Sequence, residues 1–212
     1  WLERFIQIGT SEMYGSVAYA AKEDEPIKPS SPYAASKVAF DMYLDSVHRF
    51  LKFPMNIIRP SNAYCPGQLL HRVIPKAIWC GLTGNKLPLH GGGRAEKSYI
   101  HARDLGRAIH LVAEKAPLGV TYNAGPAAPT SIREVVERTA NAMGIPFDQL
   151  CTVTGERLGQ DSRYWLDSSR IKQDVGWEPQ IGWDEGLAEM VAWGKHYLDE
   201  IRDWPTDYVL RG

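Results

Sequence analysis

The sequence predicts an α/β protein, and three observations carry that prediction. Short apolar runs that suit buried parallel strands alternate with longer segments whose apolar residues recur at helical spacing. The composition is globular, with 44% hydrophobic and 23% charged residues in 212, which excludes a disordered, collagen-like or coiled-coil chain. No run approaches the roughly 18 apolar residues that a membrane span needs.

Arg4 to Gly9 (RFIQIG) is an apolar run closed by glycine, as a buried parallel strand reads. A polar, proline-marked loop follows from Ser16 to Pro32, containing EDEP and KPSSP. Pro32 then opens a long helical segment, SPYAASKVAFDMYLDSVHRF. Met55 to Arg59 (MNIIR) is a second strand before a Pro–Ser–Asn turn, which completes a strand–helix–strand unit. Further along, Val73 to Gly81 reads as helix, Lys86 to Leu89 as a short strand and Gly91 to Gly93 as a turn. Asp104 to Glu114 reads as helix and Val120 to Ala124 as strand. Ser131 and Glu134 form a capping box for a helix that stops near Gly144. Asp167 caps a short helix ending before Gly176, and Asp184 to Ile201 is one last amphipathic helix.

The charge balance is even, 24 basic against 25 acidic side chains. It offers no electrostatic case for a nucleic-acid or anionic-membrane partner. Cys65, Cys80 and Cys151 show no CxxC spacing, so reduced thiols, a cytoplasmic protein and no metal site are expected.

Tyr33 and Lys37 lie four apart on the long helix, on one face and one turn from each other. An ammonium beside a phenol favours the phenolate, and a phenolate near neutral pH can take a hydroxyl proton. Taken alone, the pair is commonplace on helix surfaces. Its setting is not, because Thr10, Ser11 and Glu12 follow the first strand, where the carboxyl ends of parallel strands form a ligand crevice.

Three motifs in order, TSEMYG (10–15), SPYAASK (31–37) and RPSNAYCPG (59–67), resemble the extended short-chain dehydrogenase/reductase family, in its nucleotide-sugar epimerase/dehydratase branch. The resemblance runs over essentially the whole chain. It implies the back half of a doubly wound Rossmann-type parallel sheet plus a smaller mixed α/β substrate-binding domain. Residues 1–60, with 100–124 returning, would belong to the NAD-binding part, and 61–99 with 125–212 to the nucleotide-sugar part. By the same resemblance, Tyr33 deprotonates the sugar 4-hydroxyl while NAD takes the hydride. Lys37 and Pro60 hold the cofactor, Thr10 bonds the 4-oxygen and Glu12 removes the C5 proton. Ser11, Asn62, Arg72, Lys97 and Arg157 would contact the nucleotide-diphosphate sugar.

The implied activity is an NAD-dependent 4,6-dehydratase. Epimerisation, UDP-glucuronate decarboxylation and a non-catalytic nucleotide-sugar-binding module are the alternatives. Glu12 favours dehydration, since an epimerase needs no C5 base. dTDP-glucose dehydratases usually carry an aspartate where Ser11 stands, and a serine is too weak an acid for that role. ERLGQDSRY (156–164) and GWEPQ pull toward dTDP-glucose, whereas TSE and HARD pull toward GDP-mannose, so the nucleotide stays open. The family's Gly-rich cofactor turn has no counterpart among these residues; the expectation is that the cofactor-loop portion precedes Trp1. A homodimer through the Tyr33 helix is also expected, with Phe40, Met42, Tyr43 and Val47 on offer.

Overall fold

The computed structural model describes residues 2–155 and 161–208. In chain order the elements are β1 (Phe5–Ile8), α1 (Pro32–Leu51), β2 (Met55–Pro60), β3 (Asn62–Tyr64), α2 (Val73–Thr83) and β4 (Leu87–His90). Then come β5 (Glu96–Lys97), β6 (Tyr99–His101), α3 (Ala102–Lys115), β7 (Thr121–Ala124), β8 (Thr130–Ser131) and α4 (Ile132–Met143). The chain finishes with α5 (Phe147–Leu150), β9 (Cys151–Thr154), α6 (Ser169–Val175), α7 (Trp183–His196) and α8 (Leu198–Ile201).

Two compact units emerge. The first comprises residues up to 63, 96–129 and 161–180, and the second holds 64–95, 130–155 and 181–208 of the described chain. The first unit is built on a parallel sheet of order β1-β2-β7, with Phe5 opposite Met55 and Ile58 opposite Tyr122. Because side chains alternate across a strand, β2 sends Met55 and Ile57 to one face and Ile58 to the other. Met55 and Ile57 meet Leu44 of α1. Ile58, Tyr122 and Ala124 meet Ala108 and Val112 of α3, Ile171 and Val175 of α6, and Trp177. Helices on both faces of a parallel sheet are the doubly wound arrangement, and they explain why β1 and β2 read as mostly apolar runs.

Segment 161–180 packs within the first unit, whereas the sequence reading placed all of 125–212 in the second. The cause is Trp177, which is 1% exposed and donates its indole N–H to the Asp104 carbonyl at 2.9 Å. In the second unit, β4 and β9 pair in parallel. Leu87, Leu89 and Cys151 from that pair pack with Ala77 and Cys80 of α2, Val136 and Ala140 of α4, and Leu150.

Local details depart from the sequence reading in several places. Ser168, not Asp167, holds the cap position of α6, although the Asp167 carboxylate still accepts the Ser169 N–H at 2.8 Å. The last helix is two, because Tyr197 leaves helical geometry between α7 and α8. β9 fell in a stretch that the sequence reading left unassigned. No helix of the described residues is long and apolar enough to cross a membrane.

Candidate active site

The carboxyl ends of β1 and β2 open onto the same edge of the first unit's sheet, because the two strands are parallel. Gly9 and Thr10 leave β1 there, while Pro60 ends β2 and Asn62 opens β3 two residues on. Such an edge is where open α/β sheets bind ligands. Helix α1 returns the chain from the end of β1 to the start of β2, so its first turn, which carries Tyr33, also lies at this edge.

Directly after β1, Ser11–Tyr14 forms a single 3-10 turn. Thr10 caps it, its Oγ1 accepting the Glu12 N–H at 3.2 Å. Thr10 and Ser11 are buried, and Glu12 is half-buried between them and Met13. Two sets of contacts fix the turn. Met13 and Tyr14 pack on Val38, the neighbour of Lys37 on α1. Tyr14 Oη donates to Asn123 Oδ1 at 3.0 Å and accepts from Arg59 Nη1 at 2.8 Å. Arg59 is itself paired to Asp41 of α1 at 3.1 Å, with both side chains buried. Burial pushes the Asp41 carboxyl up, against the pull of Arg59. The Tyr14 phenol also rises, chiefly through burial. Thus the turn that bears Glu12 and the helix that bears Tyr33 and Lys37 share one apolar contact and one polar network.

Ser31 caps α1, its Oγ accepting the Ala34 N–H at 3.1 Å. Tyr33, just inside that cap, is 54% exposed and open to a ligand, while Lys37 one turn on is half-buried. Asn62 is half-buried, with its backbone N–H given to Ser98 at 3.0 Å. Lys97 is buried, 6% exposed, on β5. Its Nζ donates to the Asp161 carbonyl at 2.9 Å and lies 3.3 Å from the centre of the Tyr164 ring. Burial brings its pKa down from 10.5 to about 8, opposed by the charges of Asp161 and Glu12. Arg72 belongs to the second unit, exposed at the cap position of α2. Arg157 lies outside the described residues.

The first unit therefore brings Thr10, Ser11, Glu12, Tyr33, Lys37, Pro60 and Asn62 to one sheet edge. The phenol and ammonium one turn apart fit the nicotinamide-ribose end of NAD, and the open position of Tyr33 leaves room for it. Among the described residues no cluster of His, Cys, Asp or Glu could hold a metal ion. Sequence reasoning missed Tyr14, Arg59 and Asp41 beneath the site, and Ser16, Ser30, Asp161 and Tyr164 beside it. Asp161 and Tyr164 stand within a segment that carried the resemblance, but no local spacing links them to Ser16 or Ser30.

A family model described as GDP-mannose 4,6 dehydratase matches residues 2–190. The chain belongs to this family. A dTDP-glucose 4,6-dehydratase of Streptomyces griseus is 35% identical over 210 residues, covering 98% of this chain and 62% of the relative. The dTDP-glucose 4,6-dehydratase of Streptomyces venezuelae, crystallised with NAD and TYD, superposes with a TM-score of 0.86 at 32% identity. That match covers 95% of this chain and 62% of the other. The UDP-glucose 4-epimerase of Thermotoga maritima, solved with UDP-glucose, superposes at 0.87 with 26% identity over 93% of this chain and 65% of its own. The chain thus spans a little over three fifths of the length of these relatives.

Proposed function

We propose that the protein acts as an NAD-dependent nucleotide-sugar 4,6-dehydratase. One observation carries the reading: a carboxylate, Glu12, sits in a capped turn at the sheet edge and is packed through Met13 against the helix of Tyr33 and Lys37. NAD, when bound, would take the hydride from C4 and give it back at C6 once water has left, so that with a proton regained at C5 the product is a 4-keto-6-deoxy sugar and the cofactor ends as it began. Thr10 offers a hydroxyl to the sugar 4-oxygen, and Tyr33 takes the 4-hydroxyl proton with the Lys37 ammonium one turn away. Once C4 is a ketone, the C5 proton is acidic and Glu12 can remove it. A carboxyl that has just gained that proton can hand it to the hydroxyl leaving C6. One group then serves as base and acid, which answers the lack of acidity at Ser11. Asn62 faces the sugar diphosphate in this reading, while Lys97, whose ammonium is buried against the Tyr164 ring and the Asp161 carbonyl, stands with Arg72 and Arg157 as a substrate contact on the resemblance alone.

The epimerase among the structural neighbours keeps a second outcome in view, with the same oxidation at C4 and no water lost. Glu12 separates the two. A form that carries the cofactor-binding segment, incubated with dTDP-glucose, GDP-mannose and UDP-glucose in turn, should yield the alkali-induced absorbance of a 4-keto sugar with one of them. Glu12→Gln should still oxidise C4 yet lower dehydration by about 100-fold or more, the scale of a lost general base. Unchanged dehydration in that variant refutes the reading. A homodimer through α1 accords with the exposure of Phe40, Met42 and Tyr43 along that helix, with Phe40 and Tyr43 stacked at 6.3 Å.

A further inference from the structure

Asp161 sits where three stretches far apart in sequence converge within the first unit. Its Oδ1 accepts the Ser16 hydroxyl at 2.8 Å. Its Oδ2 accepts the Ser30 hydroxyl and, at 2.5 Å, the Tyr164 phenol. The Asp161 carbonyl takes the Lys97 ammonium at 2.9 Å, and the next amide, Ser162 N–H, donates to Ser16 Oγ at 3.0 Å. Ser16 follows the turn that carries Glu12, and Ser30 precedes the cap of the helix that carries Tyr33. One carboxylate therefore closes the connection between the two proposed reacting groups at both of its ends. The backbone bond from Lys28 N–H to the Met13 carbonyl, 2.8 Å, already brings those ends together.

All three side chains on the carboxylate are donors, so the ionised form is the one they bind. Burial pulls the Asp161 carboxyl up, but the hydroxyls of Ser30, Tyr164 and Ser16 and the Lys97 charge together hold it below the usual carboxylate range. Lys97 and Tyr164 are the titratable groups that face it, and the charge of Glu12 reaches both. Arg163 next door is committed to Glu96.

We propose that Asp161 is a positioning residue whose carboxylate sets the placement of the Glu12 turn against the first turn of the Tyr33 helix. The inference rests on the reading of Glu12 and Tyr33 as the reacting pair. Asp161→Asn keeps the volume, removes the charge and turns an N–H₂ toward hydroxyls that now donate. Hydrogen exchange on the chain should show amides of residues 16–31 opening by about tenfold or more, as lost charge-assisted bonds imply, with other segments unchanged. A Ser16→Ala/Ser30→Ala double variant should reproduce that opening. In the wild type, exchange of this segment, corrected for its intrinsic pH dependence, should rise as acid titrates Asp161; in Asp161→Asn it should stay flat. In a form that carries the cofactor-binding segment, Asp161→Asn should lower kcat by about tenfold while KM for the nucleotide sugar moves less than about threefold.

Unchanged exchange in Asp161→Asn overturns the proposal. So does an opened loop with unchanged kcat, which would make the clamp merely structural. If the wild-type form dehydrates no nucleotide sugar, the reaction reading fails separately, and the exchange experiment alone decides whether Asp161 holds the two ends.

Discussion

Lys97 shows how one side chain registers the chemistry around it. Its ammonium is buried on an aromatic ring and a carbonyl, and its pKa falls to about 8. Between pH 8 and the ordinary lysine value of 10.5, the unfolded chain holds a proton that the folded chain lacks. Stability therefore rises with pH across that window, relative to a variant with no charge there. Compared with Lys97→Met, the wild type should gain up to about 3 kcal/mol between pH 7.5 and 10.5, read as a shift in urea unfolding free energy. A difference that stays constant with pH would contradict the buried, perturbed ammonium. Tyr33, Lys37 and Glu12 could be put forward from the sequence because each lies in a short contiguous motif. Asp161 was not, because Ser16 and Ser30 come to it from the far side of a long connection, and long-range hydrogen bonds leave no periodic trace in a sequence.

Among the elements, the turn after β1 is the most constrained. Gly15 closes it at φ +65°, ψ −155°, a backbone region open essentially to glycine. A Cβ there would lie 2.6 Å from the Lys28 carbonyl oxygen, inside any ordinary contact. Gly15→Ala should therefore cost about 1–3 kcal/mol and push the connection off the turn. Thermal unfolding together with hydrogen exchange over residues 16–31 would show it, and a variant as stable and protected as the wild type would count against the geometry. The long helices α1, α3, α4 and α7 could be read from their periodicity and caps. β5 and β8 could not, as two residues carry no alternation. Tyr197 was invisible too, because the apolar pattern carries on past it although the backbone does not.

On the scale of the molecule, the parallel sheet with helices on both faces was legible from strand–helix alternation. What periodicity could not show was which distant segment completes its core. Trp177 answers that, filling the space beside α3 and α6 from a stretch the sequence reading assigned elsewhere. Trp177→Ala should destabilise by about 3–5 kcal/mol, a large share of the roughly 5–15 kcal/mol that holds a domain together. The midpoint of urea unfolding would fall accordingly, and an unshifted midpoint would mean that this segment is not part of the core. The central proposal joins that architecture to chemistry: Glu12 would take the C5 proton after Tyr33 has assisted the oxidation of C4. Turnover in deuterated water tests it most directly, followed by mass and NMR analysis of the sugar. The account predicts a 4-keto-6-deoxy product with solvent deuterium at C5, and no product from Tyr33→Phe. A product that retains its C6 hydroxyl, or one formed at the wild-type rate by Tyr33→Phe, would contradict it.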